Sequence, residues 1–391
     1  VERRETALEE WVMVRGSGVI VMICSAAILA GCARGSEGSV AVAEATTPAG
    51  SVETTPLRTV GLDSALLAGA FARAETLPRL RTLLVGRHGE VEQERRFRGP
   101  ALDVPANVKS VSKSIVSAVV GIAIHEGHLA GIEQPIAPFF RAHLGAAEDP
   151  RKWEITVGHL LSMQSGLERT SGDLYGRWVT SSNWVRYAVT RPMVADPGGT
   201  RLYSTGNTHL LSALLTQATG RDTWSYTREK LAEPLGIALP RWPTDPQGIY
   251  FGGNEMRLTP RSMFRFGELY RNGGRFEGRQ ILPEEWVRES LTPRTGLRRP
   301  GEMYGYGWFL SRVGRHPMFY AWGYGGQFIF VIPELELTVV TTSDPDTPRE
   351  GEHIAAVRRI LQDWIIPAAE VGVGPHGDPG ALTSSSPDRH P

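Results

Sequence analysis

The sequence predicts an α+β fold: a central antiparallel sheet flanked by helices, with a mostly helical subdomain inserted at about 115–250. Two observations carry this reading. Strand-like segments lie towards both ends of the body, and between them apolar residues recur at helical spacing over more than a hundred positions. A third observation narrows it, since no fixed period recurs and a repeat architecture is excluded.

The elements follow in chain order. Residues 61–75 have helical spacing, and residues 81–97 read as two strands. Leu83, Leu84 and Val85 form a short apolar run, and Gly86-Arg87-His88-Gly89 turns the chain into the second strand. A loop over Pro100–Val108 leads to a helix from Val116 to Ile124 that stops at Gly127. Further helices are expected at Val157–Met163, Trp184–Val189, Asn207–Thr219, Trp224–Leu235, 259–271 and 283–291. Strand character returns at Gly305–Leu310, Met318–Trp322, Gln327–Ile332 and Leu337–Thr342, and a last helix runs over about 351–365.

The chain has 391 residues, with Lys+Arg and Asp+Glu equal at 42 each. No basic field exists to attract nucleic acid. Only four of the cations are lysines, namely Lys109, Lys113, Lys152 and Lys230. Lysine can be discharged by its surroundings and act as a base, whereas arginine effectively cannot. Cys24 and Cys32 are the only cysteines, so the body holds neither a disulfide framework nor a cysteine metal site.

The ends read as accessories to the body. Residues 18–31 are an apolar run, too short for a comfortable span of about 20 residues but of signal-peptide length. Arg15 flanks it, and it ends Leu29-Ala30-Gly31-Cys32, which looks like a bacterial lipoprotein signal with Cys32 as the lipidated residue. A simple secretory signal and a single anchor helix are the alternatives. The acidic residues before Val12 suit a signal poorly, which points to a translation start at Met13. The expected organisation is a signal at 1–31, a flexible linker at 32–57, a catalytic body at 58–368 and a disordered tail at 369–391. The expected location is extracytoplasmic, in the periplasm or at the cell surface, tethered to a membrane through Cys32.

Three stretches carry the chemistry. In Ser110-Val111-Ser112-Lys113 a serine and a lysine three apart share a face at the start of a helix. Serine needs a base to become a nucleophile. Desolvation and the positive helix end both disfavour the ammonium, which is how a lysine becomes one, although the tetrapeptide by itself also arises by chance, with Lys113 then an ordinary exposed lysine. Leu202-Tyr203-Ser204-Thr205 precedes another helix, where Tyr203 either relays a proton or packs as a rim residue. Ala321-Trp322-Gly323-Tyr324-Gly325-Gly326-Gln327 opens a late strand, where glycines either let the backbone approach a ligand or mark a bulge.

The order and separation of the three resemble the superfamily of serine β-lactamases, penicillin-binding proteins and 6-aminohexanoate-dimer hydrolases, which share a β-lactamase/transpeptidase-like fold. Residues 155–167 and 203–220 add to the likeness, which covers roughly 60–365. The resemblance implies Ser110 as nucleophile, Lys113 as base and Tyr203 as proton shuttle. It also implies an oxyanion hole from the backbone N–H groups of Ser110 and Tyr324, the residue after Gly323. Two departures matter. Thr205 stands where Asn or Ser is usual, and keeps a hydroxyl. Ala321 stands where β-lactamases and penicillin-binding proteins carry Lys or His, which points to the 6-aminohexanoate-dimer hydrolase and esterase branch.

Weaker candidates for substrate contact are Thr205, Gly323, Trp184 and Asn254. Trp184 either walls the cleft or packs, and Gly252-Gly253-Asn254 either lines the cleft or turns. His125-Glu126-Gly127-His128 lacks zinc spacing and reads as a polar helix end. No metal or cofactor is expected. The reading is a serine hydrolase acting through an acyl-enzyme on a small-molecule carboxylic ester or linear amide. The alternatives are a peptidoglycan D-amino-acid peptidase or β-lactamase, and a non-catalytic cell-surface binding protein.

Overall fold

A computed structural model of the chain describes residues 61–371, apart from 146–148, 298–300 and 347–349. The expected signal, Cys32, the linker and the tail beyond 371 lie outside the described residues. Eight strands form one sheet: β1 (Leu80–Arg87), β2 (Glu90–Arg96), β3 (Thr295–Gly296), β4 (Met303–Tyr304), β5 (Phe309–Val313), β6 (His316–Gly323), β7 (Gln327–Ile332) and β8 (Leu337–Ser343). Their order is β2-β1-β8-β7-β6-β5-β4-β3, antiparallel throughout. The centre of the sheet thus joins the two ends of the body, with Leu84 opposite Val340 in the β1–β8 pair.

Both faces of the sheet are covered. Leu83, Val85, Phe328, Phe330 and Val339 belong to a core shared with helix α1 (Ser64–Glu75) and the C-terminal helix. Leu84, Ile329, Val331 and Val340 face the other core, which contains the helical subdomain. Successive side chains of a strand point to opposite faces, so a strand covered on both sides reads as an unbroken apolar run. Gln327–Ile332 is buried at every position and shows this pattern.

Helix α2 (Ser112–His125) runs through the interior, with Ser112 to Ala123 all buried. A helix surrounded by protein on all sides has no need of a polar face. Its hydroxyls find partners: Ser114 Oγ donates to the Gly307 carbonyl at 2.6 Å and Ser117 Oγ to that of Tyr306 at 2.8 Å. Helix α3 (Thr205–Thr219) packs against it and ends at Gly220 in the left-handed conformation. Helix α4 (Pro260–Arg271) lies on the sheet, where Gly267 admits the side chains of Ile329 and Thr338.

Three boundaries differ from expectation. The strand expected from Gly305 starts at Phe309, because Gly305 and Trp308 close a turn in which Gly307 has φ +81° and abuts the Lys113 carbonyl. The helix expected over Trp224–Leu235 is α-helical only at Thr223–Thr227, then opens into a π turn over Arg228–Ala232 ahead of Pro234. Helix α5 (Glu350–Ile360) continues through Leu361–Ile365 to Glu370, with Ala368 and Ala369 fully buried. The body therefore runs past the expected limit at 368. Among the described residues no helix is long and apolar enough to cross a membrane.

Candidate active site

Ser110 sits on a 3-10 turn, Lys109–Val111, that feeds directly into α2. The residue before it, Lys109, has φ +50°, which is strained for a side chain with a Cβ. Two contacts hold it there. Its backbone N–H donates to Asn107 Oδ1 at 2.8 Å, and its ammonium reaches Glu255 Oε1 at 3.3 Å. Asn107 itself donates to Glu255 Oε2 at 2.7 Å, so the three residues clamp the turn.

One helical step on, Lys113 is only 2% exposed. Its Nζ lies 3.0 Å from Ser110 Oγ, 3.2 Å from Thr205 Oγ1 and 2.7 Å from the Gly253 carbonyl oxygen. Burial pulls its pKa down to about 7, so near neutrality much of it is a free amine. A neutral amine has two N–H groups and one lone pair. The Gly253 carbonyl can only accept, and the Thr205 hydroxyl is free to accept because it can donate in turn to Ser171 Oγ, 3.1 Å away. With both N–H groups so used, the lone pair faces the Ser110 hydroxyl.

Thr205 opens α3 and its backbone N–H donates to Ser171 Oγ at 2.9 Å. The hydroxyl kept at this position thus meets the lysine. Tyr203 lies just ahead, with its ring centroid 5.1 Å from Lys113 Nζ. Burial raises its pKa to about 12, against the smaller opposing effects of the nearby Ser110 side chain and of Arg201. It is therefore protonated across the neutral range. The Arg201 guanidinium stacks on the rings of Tyr203 and Tyr304, at 5.7 and 5.6 Å. The segment is pinned from the Ser162–Gly166 turn. Leu202 N–H donates to the Met163 carbonyl at 2.8 Å, and Gln164 Nε2 donates to the carbonyls of Gly198 and Gly199 at 2.8 and 2.7 Å.

The third stretch comes from the end of β6. A Cβ on Gly323 would stand 2.2 Å from the Val108 carbonyl oxygen and 3.1 Å from Lys109 Cβ. Only glycine lets this strand end press on the segment that carries Ser110. Gly325 and Gly326 then turn the chain with φ +87° and +107°, and Tyr324 between them and Gly323 is 37% exposed. Ala321 is fully buried in the core on the helical side of the sheet.

The structure thus gathers Ser110, Lys113, Tyr203, Thr205 and Gly323 around one point. Asn254 follows Gly253 and donates to the Tyr175 hydroxyl at 2.9 Å, which keeps it beside the site. Trp184 is a correction. It is 8% exposed, packs among Trp178, His209 and Phe251, and donates its indole N–H to the Val179 carbonyl at 3.1 Å. It fills the core behind the site and walls no cleft. The Gly253 carbonyl contact was not foreseen, although its signal, two adjacent glycines, was visible. Ser171 carried no signal, because its partner Thr205 is 34 positions away, and Arg201, although only two positions from Tyr203, was not singled out. Glu126 ends α2 by taking the Tyr226 hydroxyl and the Lys230 ammonium, each at 2.7 Å, as a polar helix end would.

Comparison with known proteins bears on the fold and the family. No curated protein matches the chain. Among solved structures, a protein described as a 6-aminohexanoate-dimer hydrolase from Bacillus anthracis shares 20% identity at a TM-score of 0.62, covering 75% of this chain and 79% of its own. A penicillin-binding protein homologue from Caulobacter crescentus shares 16% at 0.62, covering 81% and 100%. EstCE1, a hydrolase with promiscuous acyltransferase activity, shares 18% at 0.63, covering 76% and 98%. At these identities the likeness establishes the fold. The family described as Beta-lactamase matches residues 81–362, which takes in all eight strands but the first residue of β1 and every residue of the site described above. This chain belongs to the Beta-lactamase family.

Proposed function

We propose that this chain is a serine hydrolase that works through an acyl-enzyme on a carboxylic ester or a linear amide. The observation that carries the reading is the Lys113 amine, buried and partly discharged, 3.0 Å from Ser110 Oγ with two acceptors occupying its N–H groups. A lysine kept for stability alone would gain nothing from such a site, since burying it costs free energy.

In this reading Ser110 Oγ attacks the substrate carbonyl while Lys113 takes its proton. The oxygen that becomes negative is received by the backbone N–H groups of Ser110 and Tyr324, which Gly323 keeps on adjoining segments. The Tyr203 hydroxyl, protonated below about pH 12, hands its proton to the departing alcohol or amine as the C–O or C–N bond breaks. Tyr203 recovers a proton from the Lys113 ammonium. Water then attacks the acyl-enzyme, gives a proton to the same pair, and Ser110 leaves with one. Ala321 supplies no cation for a substrate carboxylate at that position, which is why an ester or linear amide is favoured over a β-lactam. On the same footing we place the body outside the cytoplasm, held through a lipid on Cys32.

The test is intact mass after treatment with a fluorophosphonate probe, with turnover of a p-nitrophenyl ester, a short linear amide and a chromogenic cephalosporin. One adduct, absent in Ser110→Ala and slowed in Lys113→Ala, with ester or amide turnover, supports the reading. An adduct that survives Ser110→Ala overturns the site. Rapid turnover of the cephalosporin alone moves the substrate to β-lactams. A folded protein with neither adduct nor turnover is a binding protein.

A further inference from the structure

One turn after Thr205 on α3, the His209 side chain has no solvent exposure, and neither does the side chain of its partner Asp245. The His209 ring is enclosed by Trp178, Trp184 and Phe251, at centroid distances of 5.7, 5.5 and 6.0 Å. Its Nε2 lies 3.0 Å from Asp245 Oδ2. Its Nδ1 accepts the backbone N–H of Gly252 at 3.3 Å. That second bond settles the tautomer, because an Nδ1 that accepts leaves the only N–H on Nε2, facing the carboxylate. Asp245 Oδ1 accepts the backbone N–H groups of Gln247 and Ile249, at 2.8 and 2.9 Å, so the carboxylate is engaged on both sides.

The chain of contacts continues to the lysine. A Cβ on Gly252 would stand 2.2 Å from the Thr208 carbonyl oxygen and 2.7 Å from His209 Cα. A Cβ on Gly253, which has φ +90°, would stand 2.8 Å from Thr208 Cβ and 2.9 Å from Lys113 Cγ. The loop is therefore pressed against α3 and α2, and the Gly253 carbonyl meets Lys113 Nζ at 2.7 Å. An aromatic or aliphatic side chain would suit the cage around His209 without the desolvation of a carboxylate. What an apolar residue could not do is accept the Gly252 N–H.

We propose that His209 and Asp245 position the base: they hold Gly252, and through it the Gly253 carbonyl, so that one Lys113 N–H is occupied and the amine lone pair stays on Ser110. This rests on the reading of Lys113 as the base of a serine hydrolase. Neither residue touches the reacting atoms, so both are positioning residues. The titratable and charged groups on the elements packed around Lys113 are Tyr203, Arg201 stacked on it, the Lys109–Glu255 pair, Tyr175 through Asn254, and Asp245 behind His209.

Two substitutions separate positioning from mere packing. In His209→Gln the amide can reach the Nε2 position and keep Asp245, but Gly252 loses its acceptor. In His209→Asn the side-chain oxygen can stand near the Nδ1 position and keep Gly252, but Asp245 loses its donor. The full chain is modified at Ser110 by a fluorophosphonate between pH 5 and 9, with circular dichroism as the check on folding. His209→Gln is expected to lower the plateau rate about 10–100-fold, the cost of a misplacement of about 1 Å. Its acid midpoint is expected to fall below that of the wild type, because a carbonyl that favours the charged amine has moved away. His209→Asn is expected to stay within about threefold of the wild type, with its midpoint unmoved. Should His209→Gln not fold, Asp245→Asn replaces it. An amide there turns its NH2 to Nε2, moves the imidazole proton to Nδ1 and sets it against the Gly252 N–H, with the same expected result. Equal effects of Gln and Asn, or a lower plateau with an unmoved midpoint, overturn the proposal. A wild-type protein that is not modified at Ser110 overturns the reading of the site beneath it, which is a different failure.

Discussion

Replacing Lys113 by methionine tests the state of the buried amine without reference to any substrate. Lys113 loses its proton at about pH 7 in the folded protein, against 10.5 for an ordinary lysine, and burial is the cause. At ~1.4 kcal/mol per pKa unit, holding the charged form in this site costs roughly 5 kcal/mol. The sign follows from proton counting. Between pH 7 and 10.5 the unfolded chain holds a proton that the folded protein has lost, so stability rises with pH over that window. Below pH 7 both states are protonated, and the folded state carries the whole cost. From pH 7 to 9 the wild type should gain roughly 2 kcal/mol on Lys113→Met, and every other titrating group cancels in the difference. Methionine fills a similar volume but strips a donor from Gly253 and Thr205, a fixed offset of about 1 kcal/mol per bond that does not vary with pH. Urea unfolding at pH 6, 7, 8 and 9 reads the slope, and a gain of that size moves the midpoint difference by about 1 M. Midpoints that run parallel from pH 7 to 9 would show that Lys113 keeps its proton in the folded protein, and the account of the base would fail.

Four further outcomes are expected. With an ester substrate, kcat/KM should rise through an acid limb centred near pH 7, as Lys113 deprotonates, and show no fall below about pH 10, since Tyr203 stays protonated to about 12; a limb near pH 10 would place the proton elsewhere. Gly323→Ala forces a methyl to 2.2 Å from the Val108 carbonyl oxygen and should lower kcat by about 10²-fold while costing about 1–3 kcal/mol in urea unfolding. Trp184→Ala should cost about 3–5 kcal/mol of stability and leave KM for a small ester unchanged, because the ring lines the core rather than the substrate path; a large rise in KM would restore it to the cleft. Cys32→Ala should abolish lipid labelling of the native protein and release it from the membrane fraction, and retention of label would move the attachment elsewhere.

Much of the site was legible because its chemistry is local in sequence. Ser110 and Lys113 are three apart at the head of a helix, and Gly323 stands in an unusual density of glycines. The sheet was legible for a related reason: a strand buried on both faces, such as Gln327–Ile332, has a composition that few solvent-facing segments share. What escaped depends on contacts between distant segments. The Gly253 carbonyl reaches Lys113 across 140 positions, and Ser171 reaches Thr205 across 34, with nothing in either tetrapeptide to announce the partner. Trp184 shows the opposite error. An aromatic residue after a helix-capping asparagine is equally suited to a cleft and to a core, and only packing against Trp178 and Phe251 decides. The extent of the last helix escaped because Pro367, which usually argues for an end, occupies the second position of the segment Ile366–Glu370.

The pairing of β1 with β8 has a consequence for how the protein comes into being. The strand that precedes Ser110 cannot find its central neighbour until Leu337–Ser343 has been made, and β6, with the turn after Gly323, belongs to the same late group. Such long-range pairings are slow to form, because the loop they close is ordered before any contact rewards it. A chain still emerging, or one cut short before residue 316, would carry the serine and the lysine on a helix without the sheet that closes over them. Under the proposed function, the oxyanion hole that joins Ser110 to Tyr324 is completed only when the sheet assembles, so activity follows the last strands to be made.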